Sequence, residues 1–206
     1  MNKQKVGIIN LGINNLHSIK EACNSLGYKT SLINLNQKKY NFDIIILPGI
    51  GSFKKAMQIV KKSNIKNEIL DHINKKNKLL IGICLGMQMF FSNSDEFGYT
   101  KGLNLIKGNV KKFDKQKLIT PHTGWNSIKI LKKNNFIKTK EYKNSFYFTH
   151  SFYCKPASKE FMIGETNYSN FKFCSIVKKD NIIGMQFHPE KSGSRGLEIL
   201  NNLRKI

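Results

Sequence analysis

Cys84 stands between two glycines in the sequence Gly82-Ile83-Cys84-Leu85-Gly86, after an apolar run and before a short helical pattern. This G-x-nucleophile-x-G spacing is typical of a nucleophile elbow, a sharp strand-to-helix turn that exposes its central side chain. Glycine permits the close backbone approach that such a turn needs. A thiol there lies at a helix N-terminus, where the dipole favours a thiolate and N–H groups can hold an oxyanion. A buried structural cysteine is the alternative that the elbow alone leaves open.

A thiol nucleophile needs a base, and the base needs an orienting group. His188 begins the sequence His188-Pro189-Glu190, directly after an apolar strand pattern at 182–187. Residues just beyond strand ends lie at the sheet edge where α/β proteins place their chemistry. Glu190 could hold one imidazole nitrogen, although a surface turn is the alternative. Because Cys84 and His188 both follow predicted buried strands, the three side chains together predict a nucleophile, a base and its orienting carboxylate.

A glycine-rich loop, Pro48-Gly49-Ile50-Gly51, follows another apolar strand pattern at 42–47. Such a loop at the end of a strand can present N–H groups to an anion. The loop lacks the GxxxxGK[ST] form of a phosphate-binding loop. An oxyanion hole beside Cys84 is therefore the preferred interpretation if the two strands are neighbours, and a plain turn remains open.

Net charge is the unusual feature of the composition, with 35 Lys+Arg against 13 Asp+Glu and a net charge of +22. A basic protein invites a nucleic-acid interpretation. Only two of these residues, Arg195 and Arg204, are arginines, the residue best suited to bidentate contacts with bases and phosphates. The lysines are spread along the chain in short runs. We therefore expect a solvated lysine-rich surface and no nucleic-acid partner.

The cysteines have no CxxC spacing and no nearby histidine pair, so we expect no metal site and no cofactor. Two other histidines, His122 and His150, stand at loop and strand ends and could line a site, but their spacing assigns neither a role. No apolar run approaches the ~20 residues of a membrane span. The N-terminus leads straight into a strand pattern without a signal peptide, so we expect a cytoplasmic protein with reduced thiols.

Hydrophobic periodicity divides the chain into two halves. In the first half strand and helix patterns alternate, which predicts a mostly parallel sheet with helices on both faces. The predicted strands are 5–10, 28–35, 42–47 and 78–83, and the predicted helices begin at 14 or 15, 52, 64 and 85 and end near 26, 62, 77 and 91. The second half predicts an antiparallel extension with strands at 109–113, 127–131, 145–150, 161–168, 171–178 and 181–187, then a helix at 193–204. We expect one domain over residues 1–206.

The sequences GICLGMQ at 82–88 and HPEKSG at 188–193 resemble the class I, or triad, glutamine amidotransferases, and the resemblance covers essentially the whole chain. Within that class, PGIGSF, PHTGWN and FYFTHSFY are most similar to glutaminase subunits of imidazole glycerol phosphate synthase. The resemblance implies a flavodoxin-like α/β fold. It also implies hydrolysis of glutamine to glutamate and ammonia by Cys84, His188 and Glu190.

The resemblance assigns further roles by position. It implies an oxyanion hole at Leu85, Ile50 and Gly51, and contacts to the substrate glutamine from Gly49, Gln88, Ser151 and Phe152. It implies a separate cyclase subunit with a (β/α)8 barrel, which forms a heterodimer with the glutaminase and uses the ammonia in histidine biosynthesis. Residues that would face this partner are Asn14, Trp125 and Lys191, and burial of Trp125 in the core is the alternative for that residue.

Departures from the usual sequence of the family leave open which partner enzyme this subunit serves. The first loop, Leu11–Ser18, has the sequence LGINNLHS where the family usually has one close to YGxGNLxS, and Phe152 stands where a tyrosine is usual. A relative that supplies ammonia for amidation of surface-polysaccharide sugars is therefore the alternative within the enzyme class. An inactive scaffold that keeps only the fold is a further alternative.

Overall fold

A computed structural model describes residues 3–13, 16–35, 41–137 and 145–206. The helices are α1 (Leu16–Ser25), α2 (Phe53–Lys61), α3 (Ile65–Ile73), α4 (Leu85–Met89) and α5 (Gly193–Asn202). The strands are β1 (Lys5–Ile9), β2 (Lys29–Ile33), β3 (Ile44–Gly49), β4 (Leu79–Cys84), β5 (Asn93–Ser94), β6 (Thr100–Lys101), β7 (Gly108–Lys112), β8 (His122–Ser127), β9 (Lys129–Ile130), β10 (Ser145–His150), β11 (Phe152–Pro156), β12 (Met162–Tyr168), β13 (Phe171–Lys179) and β14 (Ile182–Met185).

The first four strands and β14 form the parallel part of the main sheet, in the order β2-β1-β3-β4-β14. Each neighbouring pair in this row is parallel. The chain therefore adds β2 on one side of β1 and β3 and β4 on the other, as in flavodoxin-like sheets. The predicted α/β class with a mostly parallel centre is confirmed.

The second half extends the sheet through antiparallel pairs. Strand β13 pairs with β14, β12 and β11, and β11 pairs with β7. Strands β8 and β10 form a separate two-stranded antiparallel sheet. The strand predicted over 127–131 is reduced to β9, because the chain there first completes β8, which the sequence did not predict. Helix α3 ends at Ile73 rather than near 77, and Asn77 has a left-handed φ of 57° that no helix accommodates.

Helices cover both faces of the sheet, which explains the continuous apolar runs in β3 and β4. Successive residues of these strands point to opposite faces. Ile44 and Ile46 join the core under α1 and α5, whereas Ile45 and Leu47 join the core under α2, α3 and α4. Each such fully buried side chain stabilises the fold by roughly 1.5–3 kcal/mol. Strand ends are thereby held rigidly at one edge of the sheet.

Within the described ranges of the chain, no helix is both long enough and apolar enough to cross a membrane.

Candidate active site

Cys84 ends β4 in a strained backbone conformation, with φ 53° and ψ −108°. A non-glycine residue with positive φ is uncommon and costs on the order of 1–3 kcal/mol, so such residues tend to mark functional sites. The flanking glycines explain how the turn is made. A Cβ on Gly86 would lie 1.7 Å from the carbonyl oxygen of Leu47, and one on Gly82 would lie 2.7 Å from the backbone nitrogen of Met87. The two glycines of the predicted elbow are therefore required by close backbone contact.

Strand β14 brings His188 to the same edge of the sheet. It pairs in parallel with β4, with Gly184 opposite Gly82 and Met185 opposite Ile83. The chain leaves β14 through Gln186 and Phe187 to reach His188. The His188 N–H then donates to the carbonyl oxygen of Tyr147 at 2.9 Å. Because Tyr147 lies in β10, this hydrogen bond holds the backbone of His188 beside that strand.

Glu190 lies beside the His188 ring because Pro189–Lys191 forms a single 3-10 turn. Nδ1 of His188 is 2.8 Å from Oε1 of Glu190, and the two side chains are 3% and 7% exposed. The hydroxyl of Ser192 donates to the His188 carbonyl oxygen at 2.6 Å and accepts from the Tyr147 N–H at 3.0 Å. Glu190 therefore orients the His188 ring, and the contacts with Tyr147 and Ser192 hold the His188 backbone.

The other ring nitrogen of His188 is left for chemistry. Nε2 is buried and makes no hydrogen bond within the described part of the chain. Burial by itself lowers the pKa of His188, but the nearby Cys84 sulfur and the Glu190 carboxylate outweigh it and raise the pKa to about 10. The ring thus keeps a second proton at neutral pH. Catalytic contacts are often poorly aligned before substrate binds. The contact between Nε2 of His188 and the Cys84 sulfur is of this kind, since the sulfur is near enough to affect the ring but Nε2 makes no well-aligned hydrogen bond among the described residues.

The glycine-rich loop lies beside the cysteine, as predicted. Strands β3 and β4 are neighbours, with Gly49 directly opposite Cys84. Ile50, Gly51 and Leu85 line the same cavity as the thiol. Gly51 has a φ of 98°, which glycine adopts readily. Gly49 itself is buried against Leu85, whose Cβ would lie 2.9 Å from a Cβ at position 49, and it does not line the cavity.

An open cavity of about 1220 Å³ lies in front of Cys84. Three of the predicted substrate residues, Gln88, Ser151 and Phe152, line it. Glu96 also lines it and was not predicted from the sequence. Its Oε2 accepts from the Phe53 N–H at 2.6 Å, and partial burial raises the pKa of its carboxyl group. A carboxylate in this position can pair with a cationic group of a bound molecule.

A chain of side-chain amides connects Gln88 to the thiol. Nε2 of Gln88 donates to the carbonyl oxygen of Phe152 at 3.0 Å and to Oε1 of Gln186 at 3.2 Å. Nε2 of Gln186 in turn lies 3.6 Å from Sγ of Cys84. Gln186 was not predicted from the sequence, because it sits inside an apolar strand pattern and only the pairing of β14 with β4 shows what it faces.

Two buried histidines support the backbone on the other side of the cavity. Nδ1 of His150 is 2.7 Å from the Phe152 carbonyl oxygen, so it is the donor, and Nε2 of His150 then accepts from Nδ1 of His122 at 3.0 Å. Burial lowers the pKa of His150 to about 3 and that of His122 to about 4. Both rings are therefore neutral, in the tautomers that this directed chain requires. Their cross-strand pairing in β8 and β10 could not be read from spacing alone.

Of the residues predicted to face a partner, Lys191 lines the cavity and Trp125 contacts a residue that lines it. Trp125 is 58% exposed, which excludes the core alternative, and its ring meets Tyr147 edge-on at 6.1 Å. Nζ of Lys191 lies 5.8 Å from the centre of the Tyr147 ring. Tyr147 and Lys191 both line the cavity. Asn14 lies outside the described residues.

Comparison with protein families finds one match that spans nearly the whole chain. The family model "Glutamine amidotransferase class-I" matches residues 7–205. Among curated proteins, "Imidazole glycerol phosphate synthase subunit HisH" of Caldanaerobacter subterraneus subsp. tengcongensis is 41% identical over 201 residues, covering 98% of each chain. The protein of the same name from Methanocaldococcus jannaschii is 41% identical over 202 residues, covering 98% of this chain and 99% of its own.

Solved structures agree on the fold. "Structure of PurLQS from Thermotoga maritima" contains a chain that superposes with a TM-score of 0.80 at 18% identity, with 99% of both chains covered. A structure titled "Crystal structure of glutamine amidotransferase" superposes with a TM-score of 0.71 at 15% identity, covering 98% of this chain and 99% of the other. At these identities the likeness concerns the fold alone.

Proposed function

The chain belongs to the class I glutamine amidotransferase family, and we propose that Cys84, His188 and Glu190 perform its glutamine hydrolysis. It acts as the glutaminase subunit of imidazole glycerol phosphate synthase in histidine biosynthesis, as the names of its full-length relatives indicate. Residues 1–206 form one glutaminase domain. A reduced thiol at position 84 is required, which suits the reducing cytoplasm.

The first half of the reaction forms a thioester. The thiolate of Cys84 attacks the side-chain amide carbon of glutamine, and the carbonyl oxygen becomes an oxyanion. The proton on Nε2 of His188 passes to the amide nitrogen, the carbon–nitrogen bond breaks, and ammonia leaves. The raised pKa of His188 supports this step, because the ring already holds the proton that the leaving group needs.

The second half releases glutamate. Nε2 of His188, now neutral, accepts a proton from water as the water oxygen attacks the thioester carbon. The carbon–sulfur bond then breaks, Cys84 leaves as a thiolate, and His188 is again doubly protonated. Glu190 holds Nδ1 through both halves, so the ring neither flips nor changes tautomer.

The oxyanion of each half is assigned to backbone N–H groups at the elbow and the glycine-rich loop. Leu85 supplies the first N–H of the short helix α4, and Ile50 or Gly51 supplies the second from the end of the neighbouring strand. Removing one such donor typically lowers kcat by about 10²–10³. This assignment is supported by the pairing of β3 with β4, in which Gly49 lies directly opposite Cys84 and so fixes the distance between the glycine-rich loop and the sulfur.

The substrate glutamine occupies the cavity in front of the thiol. We assign the binding of its α-groups to Gln88 and to the backbone of Ser151 and Phe152, with Gly49 shaping the loop beside them. Glu96 adds a carboxylate suited to the α-ammonium group. The hydroxyl of the tyrosine that is usual in the family is absent at Phe152, but the backbone carbonyl there is oriented by Gln88 and His150.

The partner of this subunit is a cyclase that consumes the ammonia, and we assign it a (β/α)8 barrel in a heterodimer. We assign to the partner surface the exposed Trp125, which packs on Tyr147, and the cavity-lining Lys191. Exposed aromatic residues of this kind are common interface anchors. The relatives named above favour a cyclase of the histidine pathway over the alternative, a cyclase-like enzyme that amidates surface-polysaccharide sugars.

One observation supports the proposal above all others: Cys84 and His188 follow adjacent parallel strands, and Glu190 orients the ring. The test is glutaminase activity of Cys84→Ala and Cys84→Ser in the presence of a histidine-pathway cyclase and its own substrate. We expect loss of at least about 10³-fold relative to the unaltered complex, since no other side chain replaces the nucleophile. Persistent hydrolysis by a folded Cys84→Ala protein would overturn the assignment.

A further inference from the structure

Gln186 is a fully buried polar residue that none of the steps above uses. Its side chain has no exposure to solvent, although it directly follows β14, between Met185 and Phe187. Its N–H donates to the carbonyl oxygen of Ser175 at 2.9 Å, which extends the pairing of β14 with β13 by one residue. A buried primary amide is costly unless its hydrogen bonds are made, so its contacts define what it does.

Those contacts point at the nucleophile. Met185 pairs with Ile83 across β14 and β4, so the next residue on each strand places Gln186 beside Cys84. Nε2 of Gln186 lies 3.6 Å from Sγ, and Oε1 accepts from Gln88 at 3.2 Å. Because that acceptor role fixes which end of the amide is oxygen, the NH₂ group is the one turned to the sulfur.

We propose that Gln186 is a positioning residue that holds Cys84 Sγ as a thiolate by donating a hydrogen bond to it, with Gln88 fixing the amide orientation. The inference deepens the proposed glutamine hydrolysis and rests on it. Sγ also lies 3.8 Å from the Thr149 carbonyl oxygen, to which a neutral thiol donates, and the donor of Gln186 shifts that balance toward the charged thiolate. It also holds the sulfur at one position while His188 moves protons.

The network connects substrate recognition to the nucleophile. Gln88 lines the cavity and donates to both Phe152 and Gln186. A substrate that engages Gln88 therefore touches the same side chain that orients the thiolate donor. If Gln186 had a purely structural role, it would accept the hydrogen bond from Gln88 but would have no effect on the reactivity of the Cys84 sulfur. The two roles can therefore be separated by experiment.

The experiment measures alkylation of Cys84 by iodoacetamide as a function of pH, from mildly acidic to mildly alkaline, in the unaltered chain and in Gln186→Met. Methionine keeps the length of the side chain and removes the donor. We expect the pH midpoint of alkylation to rise by about one unit and kcat of the complex to fall about 10-fold, since a hydrogen bond to a charged group is worth that much. KM for glutamine is expected to change little.

The other thiols do not obscure this measurement. All four thiols are largely buried, but Cys84 lines the open cavity and Cys23, Cys154 and Cys174 do not. Burial raises the pKa of Cys23 to about 12 and raises those of Cys154 and Cys174 as well. Alkylation near neutral pH therefore reports Cys84, and the Cys84→Ala chain gives the background rate.

Matched variants decide between the two roles. Ser175→Ala removes a fully buried hydroxyl from the neighbouring strand, one that makes no hydrogen bond among the described residues, and it should leave the alkylation curve unchanged. Gln88→Met should move the midpoint in the same direction as Gln186→Met but by less. Gln186→Glu keeps the shape and replaces the donor by a carboxyl group, so it tests the same point if the methionine variant fails to fold.

An unchanged pH midpoint in folded Gln186→Met and Gln186→Glu would overturn the proposal, whatever happens to kcat. The outcome is distinct from failure of the proposed function. If the unaltered complex did not hydrolyse glutamine, that function would fall, while the alkylation curves would still show whether Gln186 acts on the sulfur.

Discussion

Nδ1 of His188 lies 2.8 Å from Oε1 of Glu190, with both side chains nearly inaccessible to solvent. Together with the Cys84 sulfur, this carboxylate overcomes the effect of burial and raises the pKa of the ring to about 10. The folded protein therefore retains a proton that an unfolded histidine loses near its ordinary pKa of 6.5. A pH dependence of stability follows from this difference.

We predict that the His188 contribution to the free energy of unfolding is fully present below about pH 6.5 and is lost as pH rises to about 10. The sign follows because the native state binds more protons than the unfolded state in that window. Urea denaturation at several pH values measures the slope. Glu190→Gln, which removes the charge and keeps the size, should flatten it, and an equally steep slope in that variant would contradict the prediction.

The histidine pair His122 and His150 should act on the acid side with the opposite sign. Burial depresses both pKa values, to about 4 and about 3, so the unfolded chain binds more protons between those values and 6.5. Their contribution to stability is therefore present above about pH 6.5 and is lost as pH falls. Proton NMR titration of the imidazole C–H signals should find both rings neutral at mildly acidic pH. A midpoint near 6.5 for either ring would contradict the burial described here.

The strained elbow predicts an unusual order of stability among inactive variants. Cys84→Gly should be more stable than Cys84→Ala by about 1 kcal/mol or more, because only glycine relaxes at a φ of 53°. Thermal or urea unfolding of the two proteins measures the difference. Equal stability would mean that the positive φ costs nothing.

The glycine after the cysteine predicts a second stability effect. Gly86→Ala would place a Cβ 1.7 Å from the Leu47 carbonyl oxygen, so we expect a loss of about 1–3 kcal/mol or more as the elbow shifts, and loss of glutaminase activity with it. Gly98→Ala is the control, since its Cβ would enter open space at a φ of 92°. It should cost only the backbone penalty of about 1–3 kcal/mol for a positive φ and leave glutaminase activity intact. An active Gly86→Ala enzyme would contradict the packing of the elbow.

Trp125 should matter for the partner and not for hydrolysis itself. We predict that Trp125→Ala weakens association with the cyclase by about 30-fold or more, the typical effect of removing an aromatic anchor, and leaves the basal glutaminase rate of the isolated subunit unchanged. Titration of glutaminase activity with increasing cyclase measures both quantities. Leu32→Ala, which alters another exposed apolar residue on the edge strand β2, should change neither.

The parts of the molecule that have a local sequence pattern could be predicted from the sequence. The parallel half of the sheet follows from apolar runs whose residues alternate between two cores, as Ile44 and Ile45 do. The elbow follows from its glycines and the His188 turn from its proline. Strand β8 was missed because only its first residue, His122, is buried and it contains Gly124 at a φ of 132°, so it shows no apolar alternation.

The parts of the site that depend on pairing between distant strands could not be predicted. Gln186 lies within an apolar pattern, and only the register of β14 with β4 reveals its contact with Cys84. His122 and His150 meet because β8 and β10 place them opposite each other. The spacing of residues in the sequence does not show which distant residues meet. A glycine between a strand pattern and a helix pattern, by contrast, does indicate a tight turn.

The order β3-β4-β14 places the glycine-rich loop, the sulfur and the imidazole at the ends of three consecutive parallel strands. Three short segments thus contain the groups proposed to react, while Glu96, Ser151 and Phe152 come from elsewhere in the chain to line the cavity in front of them. A transplant of these segments to another doubly wound scaffold with three such neighbouring strand ends would therefore have to bring the cavity-lining residues with it, together with Gln186 and Gln88.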